Sequence, residues 1–166
     1  PGGRTNLANA YLQMGELTQA QEQLQQALVL HPDWVPGMVN LADLYRAQGR
    51  DAEAGPLLQQ ALVRVPDSAD VLVARAMWLV RQGQREAAVG LLAKAFEQQP
   101  SQRTAYLYAV ALHSTGSSAM ALGVIDAVMA SGRRFEQMLS LGTSIAQEIG
   151  DVERLARYRR GVASPL

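Results

Sequence analysis

The chain repeats itself. Residues 6–33 read NLANAYLQMGELTQAQEQLQQALVLHPD, and residues 40–67 read NLADLYRAQGRDAEAGPLLQQALVRVPD. Leu7 returns as Leu41, Tyr11 as Tyr45, Gly15 as Gly49, Ala27 as Ala61 and Pro32 as Pro66, each at an offset of 34. Glycines carry the beat further: Gly15, Gly49, Gly83, Gly116 and Gly150 are 34, 34, 33 and 34 residues apart. A fixed period of this length marks a chain built from one supersecondary unit copied several times. Such a unit cannot bury its own apolar face, so its neighbours must stack on it.

Between the glycines the apolar residues fall at helical spacing, as in Leu7, Ala8 and Tyr11, or Ala20, Leu24 and Ala27. This pattern predicts helix pairs over 4–14 and 17–30, 36–48 and 51–64, 69–82 and 85–98, 102–114 and 117–130, and 135–148 and 151–162. Each glycine sits between the two helices of a pair, where a left-handed residue closes the turn. Pro32, Pro66 and Pro100 follow the second helices of the first three pairs and cannot continue them. No stretch alternates with the two-residue period of a strand, so an all-α fold is expected.

The pattern resembles the tetratricopeptide repeat family. That family's unit is 34 residues, with small residues at positions 8, 20 and 27, large ones at 4, 7, 11 and 24, glycine at 15 and proline at 32. The first unit supplies Leu7, Ala8, Tyr11, Gly15, Ala20, Leu24, Ala27 and Pro32. The second supplies Met38, Leu41, Ala42, Tyr45, Gly49, Ala54, Leu58, Ala61 and Pro66, and the third Leu72, Ala76, Leu79, Gly83, Ala88, Leu92, Ala95 and Pro100. The fourth departs: Gly116 comes one residue early and Arg133 replaces the proline, while Ala109, Leu112, Ala121 and Ile125 still fit. The fifth keeps Leu139, Ala146 and Gly150, and its second helix, DVERLARYRRGV, is short and charged. The resemblance implies an all-α α-solenoid of about five antiparallel helix pairs in a right-handed superhelix. Residues 1–166 would form a single array, with units near 1–34, 35–68, 69–101, 102–135 and 136–166. The last unit would be a degenerate cap with a polar outer face.

Chemistry finds little purchase. The chain has no cysteine, so disulfides, thiolate catalysis and Cys-ligated metals are excluded. His31 precedes Pro32 in a turn. His113 stands beside Ser114, but adjacent helical residues point apart, and a Ser–His pair needs a third group and an oxyanion site. No metal-ligand spacing, glycine-rich phosphate loop or haem motif is present, and neither an enzyme nor a cofactor is expected. Lys+Arg and Asp+Glu are equal at 15 each, which argues against nucleic acid as the main partner. No apolar run approaches the ~20 residues that span a bilayer. Trp34 and Trp78 are expected to pack against neighbouring repeats. The composition is rich in Ala, Gln and Arg, with Lys94 the single lysine, and looks bacterial. Cytoplasm and envelope are both open.

The resemblance also implies where a ligand would sit. In the family the first helix of each pair lines a concave groove that holds a peptide or a partner's helix, through positions near 2, 5, 6, 9, 12 and 13. On this chain the stripe selects Asn6 and Asn9, Asn40 and Asp43, Val73 and Met77, and Tyr106 and Val110 as candidate peptide- or partner-binding residues. An asparagine amide donates and accepts at once, so Asn6 and Asn40 could hold the backbone of an extended peptide without reading its side chains. The alternative is that they bond their own helix or solvent. The ladder stops at Ala74. A family variant that clamps a C-terminal carboxylate needs basic residues where this chain has Thr5, Asp70 and Ala74, so that role is not expected. From the third unit onward the stripe turns apolar, which suits an amphipathic segment. The expected function is therefore a non-enzymatic scaffold for protein–protein interaction, its partner a protein or peptide. The alternative is a structural spacer or a homo-oligomerisation segment, with a homodimer as its partner.

Overall fold

A computed structural model describes residues 2–130 and 135–162; Arg133 and the side chain of Thr5 lie outside what is described. Among the described residues there are ten helices and no strand. They divide by their contacts into two compact units, residues 1–82 and 83–166.

The first unit holds α1 (Gly2–Gln13), α2 (Leu17–Leu30), α3 (Val35–Ala47), α4 (Asp51–Arg64) and α5 (Ala69–Arg81). Here α1 packs on α2 and α3 on α4, while α2 meets α3, α4 meets α5, and α3 touches α5 directly. The small signature residues permit this closeness: Ala8, Ala20, Ala42 and Ala54 are fully or almost fully buried in one cluster with Leu24, Leu41, Tyr45 and Leu58. Leu7 departs from expectation. It is 43% exposed where its counterpart Leu41 is 4% exposed, because α3 has helices on both sides and α1 packs chiefly on α2. Trp78 behaves as expected. Its ring covers Gly55 on α4, where an added Cβ would lie 2.8 Å from it, and its Nε1 donates to the Asp51 carbonyl at 2.8 Å. Trp34 is half-buried at the start of α3, and its ring covers Gly37 in the same helix, where a Cβ would sit 2.2 Å away.

The second unit holds α6 (Arg85–Gln98), α7 (Gln102–Ser114), α8 (Ser118–Met129), α9 (Glu136–Ile149) and α10 (Val152–Val162). α6 packs on α7, α7 on α8 and on α9, α8 on α9, and α9 on α10. The core gathers Ala105, Ala109, Leu112, Leu122, Ile125, Met138, Ile145 and Tyr158. α7 opens with a reciprocal cap, in which Ser101 Oγ accepts from the Thr104 N–H at 3.1 Å and Thr104 Oγ1 accepts from the Ser101 N–H at 3.1 Å.

The glycine beat has the backbone meaning expected of it. Gly15, Gly49, Gly83, Gly116 and Gly150 all carry positive φ, between 73° and 84°. At four of the five turns the next residue's N–H reaches back to a carbonyl five residues earlier at 2.8 Å: Glu16 to Tyr11, Arg50 to Tyr45, Ser117 to Leu112 and Asp151 to Ala146. A Cβ at Gly49 meets nothing within 4 Å, so the penalty of a substitution there is purely conformational. Gly49→Ala is expected to cost about 1–2 kcal/mol in chemical denaturation, with the helix signal unchanged.

Candidate functional site

The stripe predicted on the first unit lies on α1, α3 and α5. Asn6 and Asn9 are exposed on α1, Asn40 is half-buried on α3, and Asp43 is exposed one turn further on. No side-chain hydrogen bond joins any of the three asparagines to another described residue. Asp43 pairs with Arg46 at 3.3 Å. Arg46 Nη1 also reaches the Ala74 carbonyl on α5 at 3.4 Å, and its buried Nε has no partner among the described residues. The asparagine ladder ends at Ala74 in the sequence, and at that place the structure has an arginine from the preceding pair.

On α5, Met77 is half-buried and stays within reach of the surface. Val73 is 3% exposed and supports the stripe from beneath. The reason lies in its position. Val73 follows the core residue Leu72, and Val39, at the same place in the preceding repeat, also packs against the core.

On the second unit Tyr106 and Val110 lie on α7, Tyr106 half-buried and Val110 37% exposed. The structure brings Tyr106 together with α9 in an open groove of about 570 Å³ lined by Tyr106, Glu136, Gln137, Ser140, Leu141 and Ser144. That volume falls within the range of ligand sites, about 300–1,000 Å³. Ser140, Leu141 and Ser144 hold positions 5, 6 and 9 of the fifth unit, on the stripe that the resemblance implies, while Glu136 and Gln137 were not picked out. Both sit one turn earlier on the same face of α9, so extending the three-and-four spacing backward by a turn would have found them.

A polar cluster also went unread. His113 Nδ1 lies 2.9 Å from Ser118 Oγ, and its Nε2 lies 3.2 Å from a Glu148 carboxylate oxygen. Ser114, its neighbour in sequence, instead donates to the Ala111 carbonyl at 2.8 Å. The cluster ties the end of α7 to the start of α8 and to α9, and with Glu148 65% exposed it has no dry pocket in which to do chemistry. Among the described residues no group of His, Asp and Glu could hold a metal ion, and no helix is long and apolar enough to cross a membrane.

The last helix is held by charge. Asp126 on α8 accepts from Arg154 Nε at 2.8 Å, Arg157 Nη2 at 2.6 Å and the Tyr158 hydroxyl at 2.6 Å. Burial pushes the Asp126 carboxyl up, but the hydrogen bonds from Tyr158 and Arg154 and the charges of Arg157 and Arg154 outweigh it and hold the group below its usual range. Burial together with the bond to Asp126 pushes the Tyr158 phenol up. Asp151 is held low by the backbone N–H and the guanidinium of Arg154, and it sits where a helix N-cap belongs. Two of the arginines that make this segment cationic are thus used in docking α10.

The ten described helices, each packed on its neighbours in sequence within the two units, define a helical-repeat protein of the all-α solenoid class. The chain belongs to the tetratricopeptide repeat family, whose model matches residues 5–69 and 73–133. Among curated protein sequences none matches the chain. Solved structures share its fold. PilW, a type IV pilus biogenesis factor, superposes with a TM-score of 0.81 at 18% identity over 99% of this chain and 79% of its own. MamA superposes at 0.78 with 15% identity over 93% of this chain and 91% of its own. YrrB, described as a tetratricopeptide repeat protein with an unusual peptide-binding site, superposes at 0.72 with 18% identity over 95% of this chain and 82% of its own. Proteins of this family generally mediate protein–protein interactions and are generally non-enzymatic scaffolds.

Proposed function

We propose that residues 1–166 work as one repeat array that binds a peptide or partner helix along the first helices of its pairs. The observation that carries this reading is the set of three asparagines on a single stripe, Asn6 and Asn9 exposed and Asn40 half-buried, whose side chains bond no other described residue. A helix surface has no need of asparagines there: they are poor helix formers, and on this stripe they satisfy nothing of their own. They match what an extended backbone offers, a donor and an acceptor at each residue. Asp43 and Met77 continue the stripe with Val73 beneath it, and Tyr106 and Val110 present a more apolar surface on the second unit.

The test is the Asn6→Ala/Asn40→Ala double variant. Two hydrogen bonds worth about 0.5–1.5 kcal/mol each predict a loss of roughly 5- to 150-fold in affinity for a peptide selected against the wild-type chain. Circular dichroism should be unchanged, because neither amide supports the fold. If the double variant binds as the wild type does, the reading fails. Light scattering over a concentration series examines the alternative. A dimer abolished by Met77→Glu or Tyr106→Glu would make self-association the role of this face, and a monomer throughout leaves it to a partner.

A further inference from the structure

We infer that the groove between α7 and α9 takes a cationic side chain, a lysine or arginine beside an aliphatic one, from the bound peptide. The inference rests on the peptide-binding reading and names the chemistry one part of it selects. Among the described residues Glu136 is the one charged residue lining the groove, and it is exposed. Tyr106 faces the same space, so an ammonium or guanidinium placed there meets a carboxylate and an aromatic face together. Leu141 supplies an apolar wall for a neighbouring aliphatic group, while Ser140 and Ser144 have hydroxyls that can accept from the cation. The second carboxylate on this stripe of α9, Glu148, is already paired with His113.

Among the described residues no lysine or arginine lines the groove to neutralise it. Arg103, one turn before Tyr106, is already engaged. Arg133 and Arg134 stand just before Glu136 in sequence and lie outside the described residues, so they are the competitors the test has to meet. An anionic ligand would bring its charge against Glu136 with no compensating cation among the described residues that line the groove, which is the repulsive half of the selectivity.

The experiment uses the full chain and two fluorescently labelled peptides, one alternating leucine with lysine and its twin with glutamate in place of lysine, read by fluorescence anisotropy. The lysine peptide is expected to bind at least fivefold more tightly at low salt, with the gap narrowing as salt rises. Glu136→Gln should weaken the lysine peptide about three- to fivefold, as expected for an exposed ion pair, and leave the glutamate peptide unchanged or improved. Tyr106→Leu keeps an apolar side chain and removes the aromatic face; it should reduce the lysine preference without altering the helix signal. Equal binding of the two peptides, or a Glu136→Gln variant with the wild-type preference, overturns the inference and leaves the groove reading standing. If neither peptide binds the wild type and the asparagine double variant also has no effect on any selected peptide, the groove reading itself falls.

Discussion

Replacing Tyr158 with alanine is expected to destabilise residues 83–162 by about 3–5 kcal/mol, the range for removing a buried aromatic side chain. The residue is 2% exposed. Its ring lies on Gly142 of α9, where an added Cβ would come within 2.8 Å of it, so the glycine is the socket and the ring its filling. Alanine would open a cavity and also take away the hydroxyl that bonds Asp126 at 2.6 Å, leaving that carboxylate to Arg154 and Arg157 alone. Tyr158→Phe separates the two contributions. It keeps the ring and should cost about 1.5–3 kcal/mol, since the lost bond is to a charged acceptor. Hydrogen exchange would localise the effect: amides of α9 and α10 should lose protection first in the alanine variant. An alanine variant as protected as the wild type would mean that α10 is held by its arginines and not by the ring.

The same hub sets the direction of a pH dependence. Asp126 has its carboxyl lowered in the folded chain, so it contributes stability that is fully present above the unfolded value of about 3.9. That contribution is lost as the pH falls through the lowered folded value. The arginines stay charged throughout this window, so protonation of the carboxylate is the event that releases them. Acid titration of the wild type should therefore loosen α10, and Asp126→Asn should be less stable at neutral pH and less sensitive to acid below it.

Much of this architecture is legible in the amino-acid sequence. The predicted helix pairs end within about two residues of the observed ones. Their turns depend on a backbone conformation that glycine adopts freely, and the glycine period is printed in the sequence. The buried small residues were equally legible, because a position that must let two helices touch can hold little beyond alanine. The polar connections were not. Arg64 bonds Asp33, Arg81 bonds Asp51 and Arg157 bonds Asp126, at separations of 31, 30 and 31 residues. Each joins one repeat to the next, and no local pattern singles out these pairs from the other charges on the same helices. His113 has Ser114 as its neighbour in sequence, whereas its partners are Ser118 and Glu148 on other helices. The binding stripe was half legible for a related reason. A three-and-four step finds a face, but how deeply a position such as Val73 sinks depends on how close the flanking helix comes.

Leu58→Ala should cost the first unit about 2–5 kcal/mol, the range for Leu→Ala in a core. The case rests on the period. Position 24 of the unit holds Leu24, Leu58, Leu92 and Ile125, and these are 0%, 0%, 1% and 0% exposed. Among the signature positions this is the one where a large side chain is buried in each of the four repeats, so it sets the spacing that the small alanines allow. Leu58 belongs to a cluster that reaches from Leu24 on α2, through Leu41 and Tyr45 on α3, to Ala74 on α5. Truncating it weakens the contact with the pair before and the pair after in a single step. In a stack stabilised by nearest-neighbour contacts, such a loss reduces cooperativity as well as stability. The expected result is a lower denaturation midpoint together with a shallower transition, and faster exchange in α2 to α5. The asparagine stripe would be lost with it, because Asn6 and Asn40 sit on α1 and α3, which this core holds in register. Weaker binding by Leu58→Ala is then expected to follow the unfolded fraction, whereas in the Asn6→Ala/Asn40→Ala variant it should appear with the fold intact. That contrast separates a residue that holds the groove from one that reads a ligand.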